Sequence, residues 1–222
     1  MPFVISFIGW HNSGKTTLAT RVVALLRQQG LRIGVIKKTK ETGLLPEKPY
    51  TDTALYTSAG ANRVALFAPD QLVLRSEAQH LTLTSLANNF FFEMDMVIAE
   101  GFKTTKDVPK IAVVRSPEEN PNLLNLADNV LAVVSEHGST NGLPHFSRND
   151  IDKLTTFILS LWKTACQHQH DCTVELNGIL SDLPIDLQHH ILAITHHLAG
   201  QKEKETADWL KKTAQLLRHN PS

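Results

Sequence analysis

The chain of 222 residues predicts an α/β fold. A mainly parallel sheet with helices on both faces is expected, followed by a small α/β appendage at the C-terminus. Three observations lead there. Short β-rich runs alternate with helical patterns along most of the chain, the alternation that builds parallel sheets. The first strand-to-helix junction reads Gly9-Trp10-His11-Asn12-Ser13-Gly14-Lys15-Thr16, which fits G-x-x-x-x-G-K-[ST] at every fixed position. That is a phosphate-binding loop between the strand and helix it requires. After Trp162 the composition shifts to Gln and His, which marks the end of the main domain.

Each element follows in order. The apolar run Val4-Ile5-Ser6-Phe7-Ile8 is the first buried strand. Gly9 and Gly14 let the backbone turn tightly, so that successive amide N–H groups point at an anion. The helix starting near Lys15 adds its positive dipole end. Lys15 is expected to reach the outer phosphates and the Thr16 hydroxyl to ligate magnesium. Leu18, Val22, Leu25 and Leu26 share one helical face, Gly30 stands where a C-terminal cap belongs, and Ile33-Gly34-Val35-Ile36 is the next strand of a right-handed crossover. Residues 37–51 lack apolar periodicity and are read as a mobile loop near the phosphates, a switch candidate. Thr51-Asp52-Thr53 caps a short helix through Ser58, ended by Ala59-Gly60. Residues 63–67 and 71–75 form two strands joined by the turn Ala68-Pro69-Asp70. Residues 82–92 are read as a helix in which Phe90-Phe91-Phe92 packs the core, with a stacking platform for a base as the competing reading. Met96-Val97-Ile98-Ala99 is a buried strand ending in Glu100-Gly101. Residues 111–114 and 130–134 are further strands, and Asn149-Asp150 opens a helix reaching Trp162.

Acidic and basic residues balance at 22 each, so no global field favours nucleic acid or an anionic membrane. No apolar stretch approaches the roughly 18 residues of a membrane span, and the N-terminus has no secretory pattern. The two cysteines, Cys166 and Cys172, build no disulfide framework. A soluble cytoplasmic protein without nucleic-acid or membrane partners is expected.

A carboxylate at the C-terminal end of a buried strand is what magnesium beside a phosphate loop requires, because those strand ends line the ligand crevice of open sheets. Glu100 fits. Asp95 lies about 16 Å away at the other end of the same strand, taking ~3.3 Å per residue, and cannot share the site. Glu100 could alternatively serve as a capping acid or ion-pair partner. Asp52 is a second magnesium candidate, with a simple helix cap as its competing reading.

The domain reading is a nucleotide-binding domain over residues 1–163, a linker over 164–172 and an appendage over 173–222. Cys166, His168, His170 and Cys172 are zinc-type ligands. In an extended strand they would share one face but spread over about 20 Å, so a polar linker is preferred. Residues 173–178 look like a strand entering a hairpin, with helical stretches near 186–198 and 202–218. The pairs His189-His190 and His196-His197 stand about 10.5 Å apart along a helix, too far for one metal.

Three blocks together, residues 9–17, Asp52-Thr53 with Ser58-Ala59-Gly60-Ala61, and Glu100-Gly101-Phe102-Lys103 with Pro109-Lys110-Ile111, resemble the MobB family of GTP-binding adapters in molybdopterin-guanine dinucleotide synthesis. The resemblance spans residues 3 to about 163. It implies a homodimeric P-loop NTPase fold that binds GTP with magnesium, hydrolyses it slowly if at all, and associates with the guanylyltransferase of molybdenum cofactor maturation. It implies further that Gly9, Asn12, Ser13, Gly14, Lys15, Thr16 and Thr17 hold phosphates, with Thr16, Asp52 and Glu100 near magnesium. Phe102 and Lys103 match the family block without an assigned role. The chain departs from the family pattern after its second strand, where Lys38-Thr39-Lys40-Glu41 replaces a histidine-rich stretch. The common guanine reader is also absent after residues 130–134, where Ser135-Glu136-His137-Gly138 stands; Glu136 could accept hydrogen bonds from a guanine edge, but a solvated loop carboxylate is the preferred reading. No water-positioning base is identifiable, so turnover well below ~1 s⁻¹ is expected. A small-molecule kinase or ligase, and a metal-handling protein built on the Cys166 to Cys172 segment, are the competing readings.

Overall fold

The computed structural model describes residues 1–42, 51–77, 81–106, 108–116, 119–136 and 142–180. They fall into two compact units, one formed by residues 1–38 with the chain from Leu83 onward, the other by Thr39–Thr82.

The first unit is an open parallel sheet. Its strands are β1 (Phe3–Ile8), β2 (Ile33–Lys37), β5 (Met96–Glu100), β6 (Lys110–Val113), β7 (Val130–Val134) and β8 (His145–Phe146), while β3 and β4 belong to the second unit. The spatial order is β2-β5-β1-β6-β7-β8, and every pairing in it is parallel. The central strands are buried on both faces, so they read as continuous apolar runs: Met96, Val97, Ile98 and Ala99 are all fully buried.

Alternation along β1 shows the layering. Ile5 and Phe7 join a core under α1 (Lys15–Gln28) and α5 (Ile151–Leu180), through Leu18, Val22, Leu26, Leu154 and Ile158. Ile8 faces the other way, into a cluster with Leu123 and Ala127 around α4 (Glu119–Leu126). Beside it, Ile36, Val97 and Ala99 pack on Leu83 and Ala87 of α3 (Leu83–Phe90). Helices therefore cover both faces. Gly30 takes φ 85° just after α1, the left-handed C′ position expected of it. Phe91 joins the α3 core as expected, but Phe92 is exposed.

The second unit holds α2 (Asp52–Ser58) and an antiparallel ribbon of β3 (Arg63–Phe67) and β4 (Leu72–Ser76). The Thr51 hydroxyl accepts from the Ala54 N–H at 3.4 Å, so Thr51 is the cap.

The structure departs from expectation at further points. Lys37 is the last residue of β2 rather than the start of a loop, because it pairs with Glu100 in register; most of the rest of that segment, 43–50, lies outside the described residues. The strand β8 is two residues long and α4 has no marked apolar stripe, so neither stands out by periodicity. The 164–172 linker and the strand at 173–178 are corrected: α5 is a single helix of 30 residues through Leu180. Its Gln, His and Lys content is compatible with helix, and no glycine or proline interrupts it before Gly178, so a composition shift did not mark a break in structure. The expected helices at 186–198 and 202–218, with their paired histidines, lie outside the described residues.

Candidate functional site

In sheet order, β1 has β5 on one side and β6 on the other. The chain first lays β2 and β5 to one side and then β6 and β7 to the other, so the crevice of the fold opens at the C-terminal end of β1. The Gly9–Thr16 loop leaves the sheet at that point. Gly9 is required by close approach, since a Cβ there would collide with the Val113 carbonyl and the Ser13 hydroxyl. Asn12 and Gly14 take φ 57° and 84°, left-handed torsions that Asn and Gly accept most readily. Gly14 then caps α1 without a side-chain hydrogen bond to the first-turn N–H groups.

Lys15 bends back over this loop. Its Nζ donates to the Trp10 carbonyl at 2.7 Å and approaches the buried Ser13 hydroxyl at 3.3 Å. Thr16 turns toward β5: its hydroxyl donates to the Glu100 carboxylate, at 2.9 Å from Oε1 and 2.8 Å from Oε2. The structure thus brings together Thr16 and Glu100, two residues separated by 84 positions. Thr17 is exposed on the first turn of α1. Asp52 opens α2 in the second unit, where Thr51 supplies the cap.

Two residues were not foreseen. Lys37 ends β2 beside Glu100, its Nζ 3.4 Å from Oε1 and 3.5 Å from the Thr16 hydroxyl. Only the strand register reveals this pairing. Arg148 follows β8 and fills the space where a Gly14 side chain would stand, with Nη1 2.5 Å from the ideal Cβ position. Its Nη2 donates to the Val114 carbonyl at 3.1 Å and its Nε lies 3.8 Å from Glu136. Because β8 carries so little sequence signal, Arg148 could not be placed beside the loop in advance.

Beyond Glu100 the chain turns sharply. Gly101 and Phe102 take φ 100° and 53° in succession, a conformation that costs about 1–3 kcal/mol for a bulky residue such as Phe102. The turn is held by the Gly101 N–H donating to the Phe7 carbonyl at 3.0 Å and by the buried Ser6 hydroxyl donating to the Gly101 carbonyl at 2.8 Å.

The opposite end of β5 is arranged differently. Asp95 accepts from the Arg32 backbone N–H at 2.7 Å and from its guanidinium at 3.0 Å. The guanidinium hydrogen bond holds the Asp95 carboxyl below the usual carboxylate range. This pair is closed on itself, at the end of β5 opposite Glu100. Lys110 of the Pro109-Lys110-Ile111 block is fully buried and donates to the Val108 and Asp128 carbonyls at 3.0 and 2.8 Å. Those carbonyls belong to the segments entering β6 and β7.

Cys166 and His168 are exposed on α5. Among the described residues no group of three or more His, Cys, Asp or Glu side chains could hold a metal ion, and no helix is long and apolar enough to cross a membrane.

Residues 4–136 match the family model described as MobB, molybdopterin guanine dinucleotide synthesis protein B. The chain is similar to a molybdopterin-guanine dinucleotide biosynthesis adapter protein of Escherichia coli, 27% identical over 161 residues that cover 70% of this chain and 91% of that one. A probable adapter protein of the same name from Bacillus subtilis is 31% identical over 173 residues, covering 73% of this chain and 95% of the relative. Among solved structures, the crystal structure of Bacillus subtilis MobB superposes with a TM-score of 0.59 at 27% identity, covering 72% of this chain and 97% of that one. A crystal structure titled molybdopterin-guanine biosynthesis protein B gives 0.58 at 30% identity, covering 72% and 99%.

Proposed function

The chain belongs to the MobB family, and we propose that it acts as a cytoplasmic, homodimeric GTP-binding adapter in molybdopterin-guanine dinucleotide synthesis, associating with the guanylyltransferase that makes the dinucleotide. The contact between Thr16 and Glu100 carries the nucleotide part of this reading. A hydroxyl from the end of a phosphate loop and a carboxylate from the end of the neighbouring strand meet within hydrogen-bond distance, and hard oxygen donors of this kind suit magnesium. Thr16 and Glu100 would hold the ion directly or through water, with Asp52 as the further acidic residue the family resemblance implies. Magnesium, when bound, offsets the charge of the outer phosphates.

The protein's own groups do the rest. The N–H groups of residues 12–17 and the dipole of α1 receive phosphate oxygens. Lys15 swings from the Trp10 carbonyl to the outer phosphates. Lys37 balances Glu100 from the edge strand. None of these groups is placed as a base for water, since the Glu100 carboxylate is engaged by Thr16 and Lys37. Slow turnover follows, as befits a protein whose nucleotide state regulates association. Guanine selectivity rests on family membership.

Calorimetric titration of GTP and ATP with magnesium tests the reading beside Lys15→Ala. Wild type is expected to prefer GTP, and Lys15→Ala to bind at least about tenfold more weakly. Equal affinity for the two nucleotides overturns the guanine assignment, and unchanged binding in Lys15→Ala overturns the phosphate-loop assignment.

A further inference from the structure

Three segments at the C-terminal rim of the sheet converge on one guanidinium. Arg148, just after β8, sets its Nη1 2.5 Å from where a Gly14 Cβ would stand. Its Nη2 donates to the Val114 carbonyl just after β6 at 3.1 Å, and its Nε lies 3.8 Å from the Glu136 carboxylate just after β7. The phosphate loop and the exits of β6 and β7 are thereby gathered on a single side chain. The backbone on both sides of the ion pair is fixed. The Ser135 N–H donates to the Phe146 carbonyl at 3.1 Å and the Ser135 hydroxyl lies 3.0 Å from His145 Nε2, while the Arg148 carbonyl accepts from Arg21 of α1 at 3.2 Å. The Glu136 side chain is nonetheless half-exposed. An exposed pair contributes little to stability, and 3.8 Å is too long for a hydrogen bond, so Arg148 orients this carboxylate without occupying its acceptor sites.

Sheet order gives the pair a place along a bound nucleotide. Thr16 and Glu100 lie on the β5 side of the phosphate loop, whereas Val114, Glu136 and Arg148 lie on the β6 and β7 side. A nucleotide with its outer phosphates and magnesium at Thr16 and Glu100 runs its nucleoside to the other flank, toward Glu136. A carboxylate there discriminates between purines. Guanine presents two adjacent donors on its Watson–Crick edge, N1–H and the 2-amino group, which match the two oxygens of one carboxylate; adenine presents N1 as an acceptor and sets lone pair against lone pair. We propose that Glu136 reads the guanine edge and that Arg148 is the positioning residue that aims its carboxylate from beside the phosphate loop. The pair supplies, from different residues, the selectivity that the absent reader motif would carry.

This inference rests on the nucleotide-binding reading above. Calorimetric titration of GTP, ATP, xanthosine triphosphate and inorganic tripolyphosphate, each with magnesium, into wild type, Glu136→Gln and Arg148→Ala tests it, with a thermal melt of each variant alongside. Glu136→Gln is expected to weaken GTP by about tenfold or more and to strengthen xanthosine triphosphate, whose 2-oxo group accepts from the new amide. Tripolyphosphate should stay within about twofold of wild type, and the melt should barely move. Arg148→Ala should lower the preference for GTP over ATP in the same direction by a smaller factor. Unchanged GTP affinity in Glu136→Gln overturns the proposal, as does an equal loss for GTP, ATP and tripolyphosphate, which marks a merely structural carboxylate. Equal wild-type affinity for GTP and ATP overturns it too, and tripolyphosphate binding that fails only in Lys15→Ala then leaves the phosphate-loop reading standing. A folded wild type that binds neither GTP nor tripolyphosphate removes both.

Discussion

The two ends of β5 carry the same chemistry to opposite effect. At the N-terminal end Asp95 meets Arg32 through backbone and guanidinium bonds; at the start of β6, Lys110 is likewise buried against two carbonyls. These charged groups are matched to fixed partners and tie strand entries together. At the C-terminal end Glu100 meets Thr16 and Lys37 beside the Gly9–Thr16 loop, where Lys15 and Lys103 both contact Trp10. A charged pair closed on itself at a strand entry supports the fold, whereas the C-terminal strand ends of an open sheet line the crevice where ligands are received.

That contrast can be broken by experiment. The largest effect is expected at the open end. Glu100→Gln keeps the side chain's shape but removes its charge, and should reduce the magnesium-dependent gain in GTP affinity by about tenfold or more while leaving the melting temperature near that of wild type. A large loss of stability with intact binding would place Glu100 among the structural ion pairs. At the buried entry to β6, Lys110→Met should do the reverse. It leaves two buried carbonyls without their donor, costing about 1–3 kcal/mol by denaturant unfolding, with nucleotide affinity of the folded protein unchanged.

The smallest effect belongs to Asp95. Its carboxyl is held below the usual range by Arg32, so the folded state binds this proton less readily than the unfolded state. The stabilisation is fully present above the unfolded pKa, about 3.9, and is lost as pH falls through the lower folded value. Melts of Asp95→Asn against wild type should show a modest gap at neutral pH that closes in acid and shrinks with added salt. A gap that widens in acid would contradict the assignment.

Much of the site was legible because its parts are local. The phosphate-loop motif needs only eight consecutive residues, and the strand before it and the helix after it follow from apolar periodicity. Glu100 could be chosen over Asp95 because strand direction decides which end of a buried run faces the crevice. Lys37 and Arg148 were not legible. Each reaches the loop through the pairing of β2 with β5 or of β8 with β7, and register is a property of two segments at once. The length of α5 was missed for a different reason: composition marked a break where packing of the first half against α1 and the sheet carries a continuous helix onward.

The sequence by itself determined the fold class and displayed the G-x-x-x-x-G-K-[ST] loop and the strand-end acid Glu100, because backbone geometry and short-range spacing suffice for these. Only the tertiary structure decided that Lys37 lies beside that acid. Thr16 meets Glu100 across 84 residues, and Lys103 reaches Trp10 because two left-handed torsions redirect the chain. Contacts of that kind depend on how separate segments pack, which no single stretch of sequence encodes.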